Sequence, residues 1–225
     1  MSLQSASTPI ARPMCFRCRK AASTCYCAQL TPTPTHTQFV LLQHPRESWK
    51  AIGTARMAHL VLSDSWLLEG LRFLENPVIQ TLLRDPKTAP AVLYPGAKAL
   101  NLDQASPDER AELFPDGKRP LIFVLDGTWW AAKVLLRLNP WLLDLPRVSF
   151  DSLERSEYDL IRKQPEAYCL STLEAVSRVV QLLEPESLAP RALLEPFKRM
   201  VALQYDFGKF KAADRGLRRS RSSRT

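Results

Sequence analysis

Four of the five cysteines fall within thirteen residues, as Cys15-x2-Cys18-x6-Cys25-x-Cys27. Two close pairs of thiolates can close a tetrahedral shell around one zinc ion. Two disulfides are the other use of such a set. A cytosolic chain disfavours disulfides, and so short a segment builds no core of its own, so structural zinc is the expectation. Four protein ligands leave no open coordination position, and no catalysis is assigned to the metal. Arg17, Arg19 and Lys20 lie among the ligands, and a basic knuckle of this kind can also touch RNA.

The second candidate is Asp126-Gly127-Thr128-Trp129, which follows the apolar run Leu121-Ile122-Phe123-Val124-Leu125. An acidic residue leaving a buried strand at a tight turn is where α/β proteins place reactive groups. The same position suits a helix cap, and position alone leaves both readings open. Thr128 offers a hydroxyl and a helix N-cap, and Trp129 offers a face on which a base can stack, although a Trp starting a helix is commonly core. Cys169 sits in an apolar setting without a nearby His, so it is read as core and not as a nucleophile.

These groups need a scaffold. Gln38–Gln43 reads as a buried strand apolar on both faces, and Ala91–Tyr94, Leu121–Leu125 and Arg147–Phe150 read as further strands. Helical spacing follows Gly53, with Ala55, Met57, Ala58, Val61 and Leu62 on one side. A helix capped by Thr128 runs through Leu138 until Asn139-Pro140 stops it. Ser171-Thr172-x-Glu174 opens another to about Leu183, and a last one runs from about Arg191 to Gln204. Strands alternating with helices predict an α/β fold with a mainly parallel sheet. Only seven glycines are present, and neither a dinucleotide fingerprint nor a P-loop is among them. Gly53, Gly96 and Gly127 each sit in a turn after a strand, which suggests a pocket at the C-terminal edge of the sheet.

The 225 residues suffice for one sizeable core, or for one domain with a small appendage. No apolar run is long enough for a membrane helix, the start has no secretory signal, and the cytoplasm is the default compartment. The formal net charge is +8, which suits a polyanionic partner. From Tyr205 onward, seven basic residues face only Asp206 and Asp214. Such a tail is either a solvated end or a sequence-indifferent arm on nucleic acid. The expected division is a disordered start (1–14), a four-cysteine zinc-binding segment (15–30), a catalytic domain (36–205) and a basic tail (206–225). Thr31-Pro32-Thr33-Pro34-Thr35 serves as a stiff connector.

Leu125-Asp126-Gly127-Thr128-Trp129 resembles the D-x-T-W signature of the DTW-domain proteins, the tRNA-uridine aminocarboxypropyltransferases. The likeness covers nearly the whole chain. Cys15, Cys18, Cys25 and Cys27 are similar to the family's N-terminal cysteine set. Leu42–Glu47 with Gly53–Arg56, Leu93–Gly96 and Leu170–Ala175 are similar to its conserved loops. Each motif is weak by itself, while all of them in this order are specific. Gly53 stands where many relatives have Asn, so no side-chain role carries over there.

The resemblance implies a SPOUT-like α/β domain with a C-terminal trefoil knot, whose loops bind S-adenosylmethionine. It implies transfer of the 3-amino-3-carboxypropyl group to N3 of a tRNA uridine, with release of 5′-methylthioadenosine. On that footing Asp126 is the candidate general base, Thr128 positions the carboxylate or the base, and Trp129 stacks on the uracil. The cofactor pocket would use Tyr94, Pro95, Gly96 and Ala97, together with Leu125, Leu170, Ser171 and Thr172. The helix starting near Ser171 would present N–H groups to the methionine carboxylate. Arg46 and Arg56 are candidates for that carboxylate or for tRNA phosphate. His44 is a candidate proton carrier, although a loop His beside Pro is more often a surface residue. His36 and His59 receive no role. No membrane and no obligate protein partner are expected. Three alternatives stay open: a methyltransferase of the same fold class, ribosomal RNA as substrate, and a non-enzymatic RNA-binding module of zinc knuckle and basic tail.

Overall fold

The computed structural model describes residues 13–48, 50, 53–151, 170–203 and 205. The expectations for the extreme N-terminus, for Cys169 and for the basic tail fall outside these residues. Among the described residues six strands form one sheet: β1 (Gln38–Gln43), β2 (Ser65–Glu69), β3 (Thr88–Leu93), β4 (Ala99–Asn101), β5 (Arg119–Asp126) and β6 (Arg147–Ser149). Their order is β2-β1-β5-β3-β6-β4, and every pairing is parallel. The expected mainly parallel α/β sheet is therefore present. All strand C-termini lie at one edge, where open parallel sheets bind ligands.

The helices are α1 (Pro45–Ser48), α2 (Thr54–Val61), α3 (Pro77–Arg84), α4 (Pro107–Leu113), α5 (Trp129–Leu138) and α6 (Thr172–Leu183); residues 189–203 form a further helix, α7. Alternation along the strands divides two cores. Phe39, Leu41, Ile122 and Val124 face one side, with α2, α6 and α7 residues such as Met57, Val176 and Phe197. Val40, Leu42, Leu121 and Phe123 face the other, with Ile79 of α3 and Leu135 of α5. A sheet covered on both faces needs strands apolar throughout, which is why Phe39–Leu42 and Leu121–Phe123 are fully buried. Each such side chain contributes about 1.5–3 kcal/mol of burial.

The cysteine segment packs onto the main core. Cys18 and Tyr26 are buried in the same core as Phe39 and Met57. Pro13 and Met14 already take part in it, through a bridge from Met14 to Ala21 and a hydrogen bond from the Ala22 N–H to the Pro13 carbonyl. The Thr-Pro connector is pinned to the end of α2, where the Thr33 N–H donates to the Val61 carbonyl at 2.7 Å. No helix among the described residues is long and apolar enough to cross a membrane.

Candidate active site and cysteine cluster

β5 ends in Asp126 and α5 begins at Trp129, with Thr128 as its N-cap. The Thr128 hydroxyl accepts from the Ala131 N–H at 3.2 Å. The capping role read from the sequence thus belongs to Thr128. Gly127 is required by packing: a Cβ there would lie 2.7 Å from Cβ of Ala131.

Asp126 is 5% exposed, and both of its carboxylate oxygens accept hydrogen bonds. Nε2 of Gln43 donates to Oδ2 at 2.7 Å, and Oγ1 of Thr172 donates to Oδ1 at 2.6 Å. β1 pairs with β5 in a register that sets Gln43 opposite Asp126, and this places the amide. Burial raises the carboxyl above its ordinary range, and the bonds from Thr172 and Gln43 only partly offset it. The hydroxyl that donates to this carboxylate is that of Thr172, while the Thr128 hydroxyl accepts from its own helix.

Beside this group lies a cleft of about 360 Å³, within the usual size range of small-molecule sites. The C-terminal ends of β3, β5 and β6 and the first turns of α5 and α6 form its walls. Tyr94, Pro95, Leu125, Leu170, Thr172 and Trp129 all line it. The Trp129 ring meets Tyr94 edge-on at 6.2 Å and is 39% exposed. Asp126 itself is not on the wall. It stands behind Thr172, which lines the cleft and whose hydroxyl donates to the carboxylate.

Three expected cofactor residues are not among those that line the cleft. Gly96 and Ala97 are exposed, where the chain after β3 passes outward over β6 to pair β4 on its far side. Ser171 is buried as the N-cap of α6, in a capping box where Ser171 Oγ accepts from the Glu174 N–H and Glu174 Oε2 accepts from the Ser171 N–H. That box uses the Ser171 and Glu174 N–H groups and places a carboxylate at the same helix end. Gly53 likewise caps α2 and does not reach the cleft.

Two features escape the sequence reading. Asp151, just beyond β6, lines the cleft; the side-chain amides of Gln104 and Asn101 donate to it at 2.9 and 2.8 Å and hold its carboxyl below the ordinary range. No local motif marks it, since its partners lie 47 and 50 residues away. His44 is buried at 6%, against the expectation of a surface residue. Its backbone N–H donates to the Asp126 carbonyl at 3.0 Å and its Nδ1 accepts from the Arg46 N–H at 3.2 Å, so the turn after β1 folds over the ring. Arg46 is exposed, with its guanidinium 5.5 Å from the centroid of Trp130. Arg56 is beside the cysteine segment, close to Tyr26, Arg19 and Cys18, and not on the cleft.

The four sulfurs of Cys15, Cys18, Cys25 and Cys27 all lie within 4.8 Å of one another, with contacts of 3.7 Å (Cys15 to Cys27) and 3.6 Å (Cys18 to Cys25), and none is in a disulfide. A tetrahedral shell with metal–sulfur bonds of about 2.3 Å places sulfurs roughly 3.8 Å apart. The donor set fits one soft divalent ion. Arg19 closes the knuckle with a φ of 56°, which lets its N–H donate to the Cys15 carbonyl.

The DTW domain family model matches residues 12–205. Among curated proteins, the chain is 32% identical over 203 residues to tRNA-uridine aminocarboxypropyltransferase 2 of Macaca fascicularis, covering 88% of this chain and 65% of that protein. It is 31% identical over 211 residues to the protein of the same name from Drosophila melanogaster, covering 91% and 80%. It is 28% identical over 220 residues to tRNA-uridine aminocarboxypropyltransferase A of Arabidopsis thaliana, covering 86% and 81%. The chain thus spans about two thirds of the length of the macaque protein and about four fifths of the other two. No solved structure matches the chain.

Proposed function

The chain belongs to the DTW domain family, and we propose that it is a tRNA-uridine aminocarboxypropyltransferase. The reaction joins N3 of a tRNA uridine to the 3-amino-3-carboxypropyl group of S-adenosylmethionine. The observation that carries this reading is the cleft at the strand C-termini with Thr172 on its wall and the raised Asp126 carboxyl directly behind it.

S-adenosylmethionine brings an electrophilic carbon already activated by its sulfonium. The protein must orient that carbon and free the N3 lone pair. Asp126 is the general base, reaching the cleft through Thr172. The uridine N3–H gives its proton to Thr172 Oγ1 as Thr172 passes its own to Asp126 Oδ1. The N3 lone pair forms the new N–C bond, and the C–S bond breaks with its electron pair going to sulfur, giving 5′-methylthioadenosine. A carboxyl raised by burial is a stronger base than an exposed one once ionised. Gln43 holds Oδ2, so that Oδ1 keeps facing Thr172. Trp129 and Tyr94 offer aromatic surface to uracil and adenine, while Asp151, kept ionised by its two amides, complements the net positive charge of S-adenosylmethionine.

The four cysteines would hold a structural zinc that fastens the N-terminal segment to the core, and no step passes through it. A SPOUT-like trefoil knot is part of the same proposal; the residues between β6 and α6 that would thread it, 152–169, are outside the described ones. The proposed setting is cytoplasmic, with tRNA as the one macromolecular partner required. Replacing Asp126 by Asn tests the chemistry: S-adenosylmethionine binding is expected to persist while transfer to tRNA stops. Turnover near that of the wild type would refute the base assignment.

A further inference from the structure

We propose that Trp130 and Arg46 form a stacking platform for the nucleobase next to the target uridine, a second RNA-binding surface outside the cleft. This rests on the reading of the chain as a tRNA-modifying enzyme. Trp129 and Trp130 are consecutive in the first turn of α5, so their side chains leave the helix about 100° apart. Trp129 turns into the cleft against Tyr94. Trp130 turns instead over the loop after β1, where its ring meets His44 edge-on at 6.1 Å and carries the Arg46 guanidinium 5.5 Å from its centroid. It is nevertheless 58% exposed.

More than half of this indole stays in water although His44 and Arg46 both hold it. Its surroundings nonetheless fix its orientation. His44 is buried, and its backbone N–H donates to the carbonyl of Asp126, so the loop that carries Arg46 is tied to the reactive turn. Any ligand on Trp130 is therefore registered to the cleft. The chemistry is that of a single-stranded nucleotide: the exposed part of the ring takes a base of any identity, and the adjacent guanidinium takes its phosphate. The formal charge of +8 favours a polyanion over an uncharged apolar partner. The target base must leave its stack to react, and a neighbour seated on Trp130 recovers part of the stacking lost.

The test compares the full-length wild type with Trp130→Ala and Trp130→Phe. Three quantities are read: affinity for a short uridine-containing single-stranded RNA by fluorescence anisotropy at fixed salt, KM and kcat for tRNA, and S-adenosylmethionine binding by calorimetry. Trp130→Ala is expected to weaken RNA binding and raise KM by about tenfold or more, with cofactor affinity unchanged and most of the loss restored in Trp130→Phe. RNA affinity within about twofold of the wild type, or equal loss of cofactor binding, would overturn the platform. Equal, Trp130-dependent binding of polyglutamate would overturn RNA as its occupant. A wild type that modifies no tRNA sinks the enzymatic reading, and the RNA affinities still decide the platform.

Discussion

Thr172 Oγ1 donates to Asp126 Oδ1 at 2.6 Å, joining the start of α6 to the end of β5 across 46 residues. The bond makes Thr172 the only link from the buried carboxylate to the cleft wall that the described residues show. Thr172→Val keeps the shape and removes the hydroxyl. Transfer to tRNA is expected to fall by about a hundredfold or more, the usual scale of general acid–base catalysis, while Thr172→Ser retains most of it. Steady-state kinetics on both variants check this.

Asp126 also leaves a mark on stability. Its carboxyl ionises near 3.8 when unperturbed, and burial raises it in the folded chain. The fold then binds that proton more tightly than the unfolded chain does. Stability from this group is fully present below the unfolded value and is lost as pH rises through the folded one. Asp126→Asn is therefore expected to raise Tm at neutral pH, with the gain vanishing in acid. Gln43 Oε1, buried without a partner, can turn to accept from the new amide. Thermal melts across pH read this directly, and a variant less stable than wild type at neutral pH would contradict the burial argument.

Gly127→Ala pushes a methyl to 2.7 Å from Ala131 and displaces the first turn of α5. A loss of about 1–3 kcal/mol is expected, as for other overpacked sites. Ala131→Gly in the same chain removes the clash at a helix-propensity cost of about 1 kcal/mol, so the double variant should be more stable than the sum of the two single losses implies. Denaturant unfolding of the four proteins gives the cycle.

Asp151 contributes charge to the cleft. Asp151→Asn preserves its volume and is expected to weaken S-adenosylmethionine binding by about tenfold or more, an effect worth about 1.4 kcal/mol. Binding of the neutral product 5′-methylthioadenosine should change far less. Calorimetry with both ligands separates the charge effect from a collapsed pocket, in which both would be lost.

The cysteine set is tested by metal removal. Cys18 is packed with Tyr26 into the core shared by Phe39 and Met57, so its sulfur is expected to be the hardest to alkylate. Purified protein should carry one zinc per chain. Chelation under reducing conditions should lower Tm and open the four thiols to alkylation. Protein without stoichiometric metal and with an unchanged Tm would exclude a structural zinc.

Features set by neighbouring residues are legible in the sequence. The Asp126 turn, the Thr128 cap and the Ser171/Glu174 capping box each depend on residues within three positions. β2 escapes such a reading, because Trp66, Leu67 and Leu68 are only half-buried and follow α2 so closely that their apolar run continues its pattern. α3 and α4 escape it too, although Asn76-Pro77 and Ser106-Pro107-x-Glu109 both mark helix starts. The contacts that define the site are the least visible. Gln43 meets Asp126 only through strand register, and Asp151 enters the cleft only because β6 lies beside β3. The burial of His44 follows from a loop folding back on Trp130, which no local pattern encodes.

Nucleoside mass analysis of tRNA incubated with the purified chain and S-adenosylmethionine tests the central claim most directly. One uridine should gain the mass of an aminocarboxypropyl group, with 5′-methylthioadenosine released in equal amount. Uridine that gains only a methyl group, or stays unmodified while the protein binds both substrates, would contradict it.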